Sequence, residues 1–368
     1  MVWVDPTLTA ATFAEDEQYE GVEIDANVSA ILPEGIKIKW VSTFFRSFWA
    51  INSKIDTILP NNGQQKAYFL KVYTVPGAAD IARGEFESTS ALANVIPNNV
   101  TRPIGHGLCA SDPDRAFFLA EFRAMTDKLP ASDGELVSVV AKIHEHRSPN
   151  GKFGFPVTTF TGKQPIDTTW CDTWEEYFGR IMKTTMEMEL AVHGPHVELE
   201  ALSETVLTKV IPRLIRPMET GGNQIEPVLL HGDLWHGNVS VDNETGGAVF
   251  YDPSCFYGHH EYDFSAWRAE RYLTNRDQVR TYFEIAKMSE PVTEQDDRHA
   301  LYSLRNDLST SIGWTANGKV LRELAIKEMR RLVEKYGEGY EGYYYAAGEN
   351  SDGLYDSDSG ISLGAQDV

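Results

Sequence analysis

The run His231-Gly232-Asp233-Leu234-Trp235-His236-Gly237-Asn238, followed by Tyr251-Asp252-Pro253, constrains this chain more than any other feature. A carboxylate, an amide five positions later and a second carboxylate beyond an apolar stretch are the minimal kit for moving a phosphoryl group. Asp233 is the candidate to take the proton of an acceptor hydroxyl. Asn238 and Asp252 are the candidates to hold the Mg2+ that neutralises the phosphates of ATP. A tight loop must present base and metal ligand on one side, and the second ligand must arrive on an adjacent strand.

The flanks can build that geometry. Pro227-Val228-Leu229-Leu230 is a short apolar run that would deliver His231 and Asp233 at its end. Val239-Ser240-Val241 reads as a strand, 242–247 is rich in turn formers, and Ala248-Val249-Phe250-Tyr251 returns as a strand ending at Asp252. An isolated Asp-x-x-x-x-Asn would read as a solvated surface hairpin. The whole assembly reads as a catalytic loop.

These residues also carry a resemblance. His231 to Asn238, and the stretch from Asp252 to Asp263, resemble the fructosamine (ketosamine) 3-kinases. Within them the match is to the fungal protein-ribulosamine 3-kinase-like branch, in the wider group of aminoglycoside phosphotransferases and choline kinases. Phe256-Tyr257-Gly258-His259-His260-Glu261-Tyr262-Asp263 separates that branch from its relatives. The resemblance runs from roughly Trp40 to about Arg280. It implies ATP- and Mg2+-dependent phosphorylation of the 3-hydroxyl of a ketoamine, such as a ribulosamine or fructosamine adduct, free or on a glycated protein. Deglycation of the amine would follow. A small-molecule aminosugar or amino-alcohol kinase and a weak pseudokinase are the alternatives.

The resemblance implies an α+β, protein-kinase-like, two-lobed fold, and 368 residues, beyond the usual size of a single core, agree with two lobes. A small β-rich N-lobe would occupy residues 1–120, a hinge 121–124 and a larger, mostly helical C-lobe 125–346. Residues 347–368 read as a disordered acidic tail of low apolar content.

In the N-lobe, Lys71 lies within the apolar run Tyr68-Phe69-Leu70-Lys71-Val72, on an expected strand from Gln65 to Tyr73. A buried ammonium needs an anion, and Glu85, on the expected helix Ile81 to Val95, is the natural partner. The resemblance makes this the Lys–Glu pair that grips the α- and β-phosphates. Glu87, two positions on, faces elsewhere and reads as solvated. The segment Thr43-Phe44-Phe45-Arg46-Ser47-Phe48-Trp49, where kinases cover the phosphates with glycines, contains none. The resemblance assigns Ser47 to the nucleotide there. It likewise makes Ala116 to Arg123 the hinge strand, with the backbone of Glu121, Phe122 and Arg123 meeting the adenine edge.

In the C-lobe, Ser132-x-x-Glu135 caps a helix that ends at His144 and His146, both read as structural. A Gly-containing connector over 149–164 resembles a family insert, and an amphipathic helix follows from about Asp172. Further helices are expected over Tyr262 to Tyr282, Arg298 to Gly313 and Val320 to Tyr336. Trp235 is expected to stack on a sugar ring or amine, with loop anchoring as its alternative. Glu261 and Asp263 read as C-lobe stabilisers, Glu261 also as a group that reaches a substrate amine. A zinc site of His231, His236, His259 and His260 is the rival, and it leaves Lys71 and the Asn238–Asp252 pair idle.

Composition excludes some partners. With 33 Lys and Arg against 54 Asp and Glu, the net charge of −21 disfavours nucleic acid and anionic membrane. Three scattered cysteines make neither a disulfide framework nor a thiolate metal site. No basic, apolar leader opens the sequence and no run of roughly eighteen apolar residues occurs. The expected setting is cytoplasmic, and oligomeric state is left open.

Overall fold

A strand as apolar as Ala116-Phe117-Phe118-Leu119-Ala120 must be covered on both faces, and it lies inside the N-lobe sheet. The computed structural model describes residues 17–19, 24–47, 49–126 and 128–341. The N-lobe elements are β1 (Glu17–Tyr19), α1 (Ala26–Ile31), β2 (Lys37–Arg46), β3 (Ala50–Ile58), β4 (Gln65–Tyr73), α2 (Ala78–Val95), β5 (Pro103–Leu108) and β6 (Ala116–Glu121). The strands pair antiparallel in the order β1-β2-β3-β4-β6-β5.

Local chemistry sets these boundaries. Pro60-Asn61-Asn62-Gly63 turns β3 into β4, with Gly63 at φ +66° and Ile58 opposite Gln65. Residues Ala50–Ile58 form a single strand, β3, whose pairing with β4 runs unbroken. Along β4, alternation places Phe69, Lys71 and Tyr73 on one face. Helix α2 begins three residues before the expected start and buries Ile81, Ala82, Glu85, Ser88, Thr89 and Leu92. That spacing is a helical stripe laid against the sheet.

The C-lobe contains α3 (Asp133–His144), the hairpin β7 (Thr159–Thr161) and β8 (Gln164–Ile166), α4 (Trp174–His193), α5 (Val197–Thr205) and α6 (Ile211–Ile215). It continues through β9 (Val228–Leu230), β10 (Val239–Val241), β11 (Ala248–Phe250), β12 (Phe256–Gly258), α7 (Arg276–Tyr282), α8 (Gln295–Gly313) and α9 (Gly318–Tyr336). Ser132 caps α3, but Glu135 does not close a capping box; its Oε1 accepts from the Ala248 N–H at 3.0 Å instead. The helix expected over Tyr262–Tyr282 divides into a 3-10 segment, His260–Arg268, and the short α7, where Asn275 and Gln278 make a full capping box.

One core fills this lobe around Trp174, which is fully buried and donates its indole N–H to the Tyr302 hydroxyl at 2.8 Å. Truncating such a residue to alanine costs about 3–5 kcal/mol. Phe48 and the tail from 347 onward lie outside the described residues.

Two small ribbons position the loop. β9 pairs with β12, and β10 pairs with β11, both antiparallel. The loop 231–238 leaves β9 and enters β10, while 251–255 leaves β11 and enters β12. The two segments therefore run side by side. The Tyr251 N–H donates to Asn238 O at 3.1 Å and the Ser254 N–H to His231 O at 2.8 Å.

Candidate active site

Asp263 organises the loop from beneath. Its carboxylate accepts from the backbone N–H groups of His231 and Gly232, each at 2.8 Å, and from His144 Nε2 at 3.1 Å. Burial opposes its charge, but the bond to His144 holds its pKa below the usual carboxylate range. The C-lobe stabiliser expected at this position is thus the support of the loop itself. Gly232 sits at φ +81°, and a Cβ there would lie 2.0 Å from Ser254 O. Only glycine fits this contact.

His231 is buried and neutral, its pKa lowered by burial. Its Nε2 donates to Tyr251 O at 3.1 Å and its Nδ1 accepts from the Asp233 N–H at 3.4 Å. The indole of Trp267 donates to Leu234 O at 2.9 Å and closes the loop from the C-lobe side.

Asp233, Asn238, Asp252 and Lys71 meet at one place. Asn238 Nδ2 donates to Asp233 O at 2.8 Å and to Asp233 Oδ2 at 3.1 Å. Lys71 Nζ contacts Asp252 Oδ1 at 2.9 Å and Glu85 Oε1 at 3.1 Å. Glu85 also accepts from the Tyr73 hydroxyl. Asp252 stands at φ +52°, the one non-glycine residue with positive φ among those described. Such strain persists where neighbours over-determine it.

The electrostatics follow from burial and charge. Burial pushes the half-buried Asp233 carboxyl up to about 7; the Asn238 amide pulls it down and the charge of Asp252 adds to the rise. Burial would discharge Lys71, but Asp252 and Glu85 together raise its pKa and keep it an ammonium. Glu85 is pushed up to about 7 by burial, against the pull of Lys71.

The donor set suits Mg2+, which takes hard oxygens. The Asp252 side chain is 48% exposed. Asn238 turns its amide nitrogen toward Asp233 and hence its carbonyl oxygen the other way. The residues present fit the ion.

Other expected residues fall differently. Ser47 Oγ accepts from the N–H groups of Ala50 at 3.0 Å and Trp49 at 3.4 Å, so it builds the glycine-free turn rather than facing a phosphate. In the segment expected as the hinge, the Phe122 N–H is taken by Ala67 O at 3.1 Å and the Glu121 N–H by Arg102 O at 2.9 Å. The Glu121 side chain pairs with Lys66 at 2.6 Å, and Arg123 binds Asn98 O at 2.7 Å. The Phe122 ring stands edge-on to Phe44, 6.3 Å between centroids, and Phe44 lies 6.1 Å from Phe69.

Glu261 requires a correction. It is fully buried, and its two oxygens are bound by Arg298 at 3.0 Å each, with the Ser289 N–H also at 3.0 Å. A carboxylate so engaged belongs to the C-lobe core and offers nothing to a substrate amine.

Trp235 is half-buried, 5.6 Å from the Tyr272 ring and 4.9 Å from that of His236, and folds over Gly237. The rival zinc set is dispersed among separate bonds. His259 is held by Tyr302 and Ser289, His260 by Tyr282, and His236 accepts from the Leu273 N–H. His259, His260 and Glu261 are close enough to ligate an ion, yet each is already hydrogen-bonded to protein.

Two features escaped the sequence reading. Tyr73, two positions after Lys71 on the same face of β4, holds the second oxygen of Glu85; strand alternation was the available signal. Arg305 on α8 is buried with no carboxylate partner among the described residues. It donates to the Tyr262 hydroxyl at 2.6 Å, and its charge is felt at Asp233.

Fold and cluster together define a kinase-like, two-lobed protein. The chain belongs to the fructosamine kinase family, whose model matches residues 50–315. It is 29% identical over 228 residues to the protein-ribulosamine 3-kinase, chloroplastic, of Oryza sativa subsp. indica, covering 60% of this chain and 62% of that protein. It is 39% identical over 115 residues to the ketosamine-3-kinase of Mus musculus, covering 31% of this chain and 34% of that one. The chain thus spans only part of the length of these relatives.

Among solved structures, a provisionally assigned fructosamine-3-kinase of Thermobifida fusca YX-ER1 superposes with a TM-score of 0.66 at 20% identity, covering 85% of this chain and 100% of that chain. The aminoglycoside phosphotransferase APH(4)-Ia, in a ternary complex with AMP-PNP and hygromycin B, gives 0.51 at 16%, covering 84% of this chain and 98% of that chain. Identities this low establish the fold alone. No helix of the described residues is long and apolar enough to cross a membrane.

Proposed function

We propose that this protein transfers the γ-phosphoryl group of ATP to a sugar hydroxyl, the 3-hydroxyl, of a ketoamine formed between a sugar and an amine. The observation that carries this reading is the convergence of Asp233, Asn238, Asp252 and Lys71 on one point. The family supports the acceptor class, and the AMP-PNP complex of a fold neighbour supports the nucleotide.

In this reading Lys71, oriented by Glu85, contacts the α- and β-phosphates. Asn238 and Asp252 hold Mg2+, which supplies neutralisation of the phosphate charge when bound. Asp233 orients the hydroxyl and takes its proton as the oxygen attacks. Its raised pKa of about 7 suits that exchange near neutrality. Trp235 and Tyr272 would flank the acceptor, and backbone groups of Glu121 and Arg123 would meet the adenine edge. The phosphorylated adduct then decomposes and frees the amine, a repair of glycation on small molecules or proteins. The proposed compartment is the cytoplasm; the buried free thiols Cys109, Cys171 and Cys255 suit a reducing one.

A second reading, a nucleotide-binding pseudokinase, rests on the turn at Ser47, where the serine oxygen takes two amides that a phosphate would otherwise meet. Incubating the protein with ATP, Mg2+ and a ribulosamine or fructosamine model compound, followed by phosphorus NMR, separates the two. A new sugar-phosphate resonance supports the kinase. Thermal stabilisation by ATP with no ATP consumed on any acceptor supports the pseudokinase.

A further inference from the structure

The hairpin β7–β8 belongs by sequence to the C-lobe, yet it reaches both lobes and the loop between them. It approaches α2 at Gly84, the residue before Glu85. A Cβ at Gly84 would lie 2.7 Å from Thr158 O and 3.3 Å from the Phe160 ring. The Phe160 side chain packs into the N-lobe cluster that contains Trp49, Phe69, Phe86 and Phe118. Gly162, at φ +60°, turns the hairpin directly beneath Trp49, whose ring would lie 3.4 Å from a Cβ there.

Two further contacts complete the set. Phe160 O accepts from the hydroxyl of Ser254, two residues beyond Asp252. Gln164, at the far strand, is buried and exchanges two hydrogen bonds with Ser309 of α8, at 2.8 and 3.0 Å. The Asp252 segment is also tied to α2 directly, the Cys255 N–H donating to Ser88 Oγ at 3.1 Å. Ser88 lies three positions after Glu85, on the same helical face.

From these contacts we infer that the hairpin β7–β8 is a built-in brace that locks helix α2, the glycine-free turn and the Asp252 segment in register, with Gly84, Phe160 and Ser254 as positioning residues for the Lys71–Glu85–Asp252 triad. It rests on the reading of that triad as the nucleotide site. In kinases the Lys–Glu pair and the metal-binding Asp must be in place together, a condition often met by a separate activating step. Here the hairpin meets it through packing and hydrogen bonds that need no modification. The brace also explains how a turn without glycine keeps its place: the Gly162 turn supports the Trp49 ring from below.

Gly84→Ala is the sharpest test, because helix propensity and the brace predict opposite results. In a helix interior, alanine in place of glycine favours the helix. At Gly84 the new methyl group must push Thr158 and Phe160 away. We expect G84A to keep a cooperative melt, to bind MgATP roughly tenfold more weakly and to exchange the backbone amides of 78–95 faster. Ser254→Ala, which removes one hydroxyl and adds no bulk, should shift affinity and exchange in the same direction by a smaller factor. Wild-type MgATP affinity and wild-type exchange in either folded variant would overturn the proposal. Neither readout requires an acceptor, so a protein that phosphorylates no ketoamine would refute the proposed activity while the brace is still decided by these measurements.

Discussion

Lys71 and Asp252, 181 positions apart in sequence, are joined by a contact of 2.9 Å between Nζ and Oδ1. The lysine comes from the N-lobe sheet and the aspartate from the C-lobe ribbon, so this contact bridges the two lobes. Replacing Lys71 by Met removes the ammonium and leaves the buried Glu85 carboxylate with Tyr73 alone. The expected outcome is a loss of turnover of at least about a hundredfold, together with a loss of stability of about 3 kcal/mol. Urea unfolding alongside steady-state kinetics checks both.

Asp233 gives a prediction in pH. Its folded pKa, about 7, lies above the ordinary value of 3.8. The folded protein therefore holds this proton more tightly than the unfolded chain. The resulting stability is fully present below about pH 4 and is lost as pH rises through about 7. At pH 8 the buried charge opposes folding, so Asp233→Asn should stabilise the nucleotide-free protein there. The gain should be about 2 kcal/mol, roughly half of the full shift because Asp233 keeps contact with solvent. Melting curves of the two proteins should lie close together at about pH 4 and diverge progressively up to about pH 8. Turnover of the wild type should fall below about pH 7, as the base takes up its proton.

Much of this site is visible in the sequence because its chemistry is local. Asp233 and Asn238 are five residues apart on one loop, and the turn formers of 242–247 fix where Asp252 returns. Lys71 is legible because a charge inside Tyr68-Phe69-Leu70-Lys71-Val72 demands an anion. Glu261 was misread for the converse reason. Its neighbour Asp263 supports the loop, but Glu261 meets Arg298, 37 positions away, a long-range pairing no local pattern reveals. Ser47 followed the same course, since its bonds to the Trp49 and Ala50 amides depend on how the turn closes. The hairpin at Phe160 left only a Gly-containing connector in the sequence, because its partners at Gly84 and Ser254 lie on other elements.

Asp263 bears the loop, and its removal should be felt more in folding than in chemistry. Asp263→Ala leaves the N–H groups of His231 and Gly232 and the ring of His144 without an acceptor. A loss of about 3 kcal/mol follows from such orphaned buried donors. Denaturant unfolding should show an earlier midpoint, and the remaining folded protein should turn over slowly.

Trp235 should act on the acceptor rather than the nucleotide. Trp235→Ala removes the ring beside Tyr272 and His236. A roughly tenfold rise in KM for the ketoamine, with KM for ATP unchanged, is expected if it stacks on substrate. Trp235→Phe should restore most of the loss. Equal effects on both substrates would mark Trp235 as an anchor of the loop alone.

We propose that Asp233, flanked by Asn238 and Asp252, is the base for phosphoryl transfer to a ketoamine. Transfer of label from γ-labelled ATP to a ribulosamine, measured for the wild type and Asp233→Asn at matched nucleotide saturation, tests it most directly. Labelled sugar phosphate is expected with the wild type, and a rate lower by about a thousandfold with the variant, whose MgATP affinity is retained. Undiminished transfer by Asp233→Asn, or no labelled sugar from the wild type on any ketoamine, would contradict it.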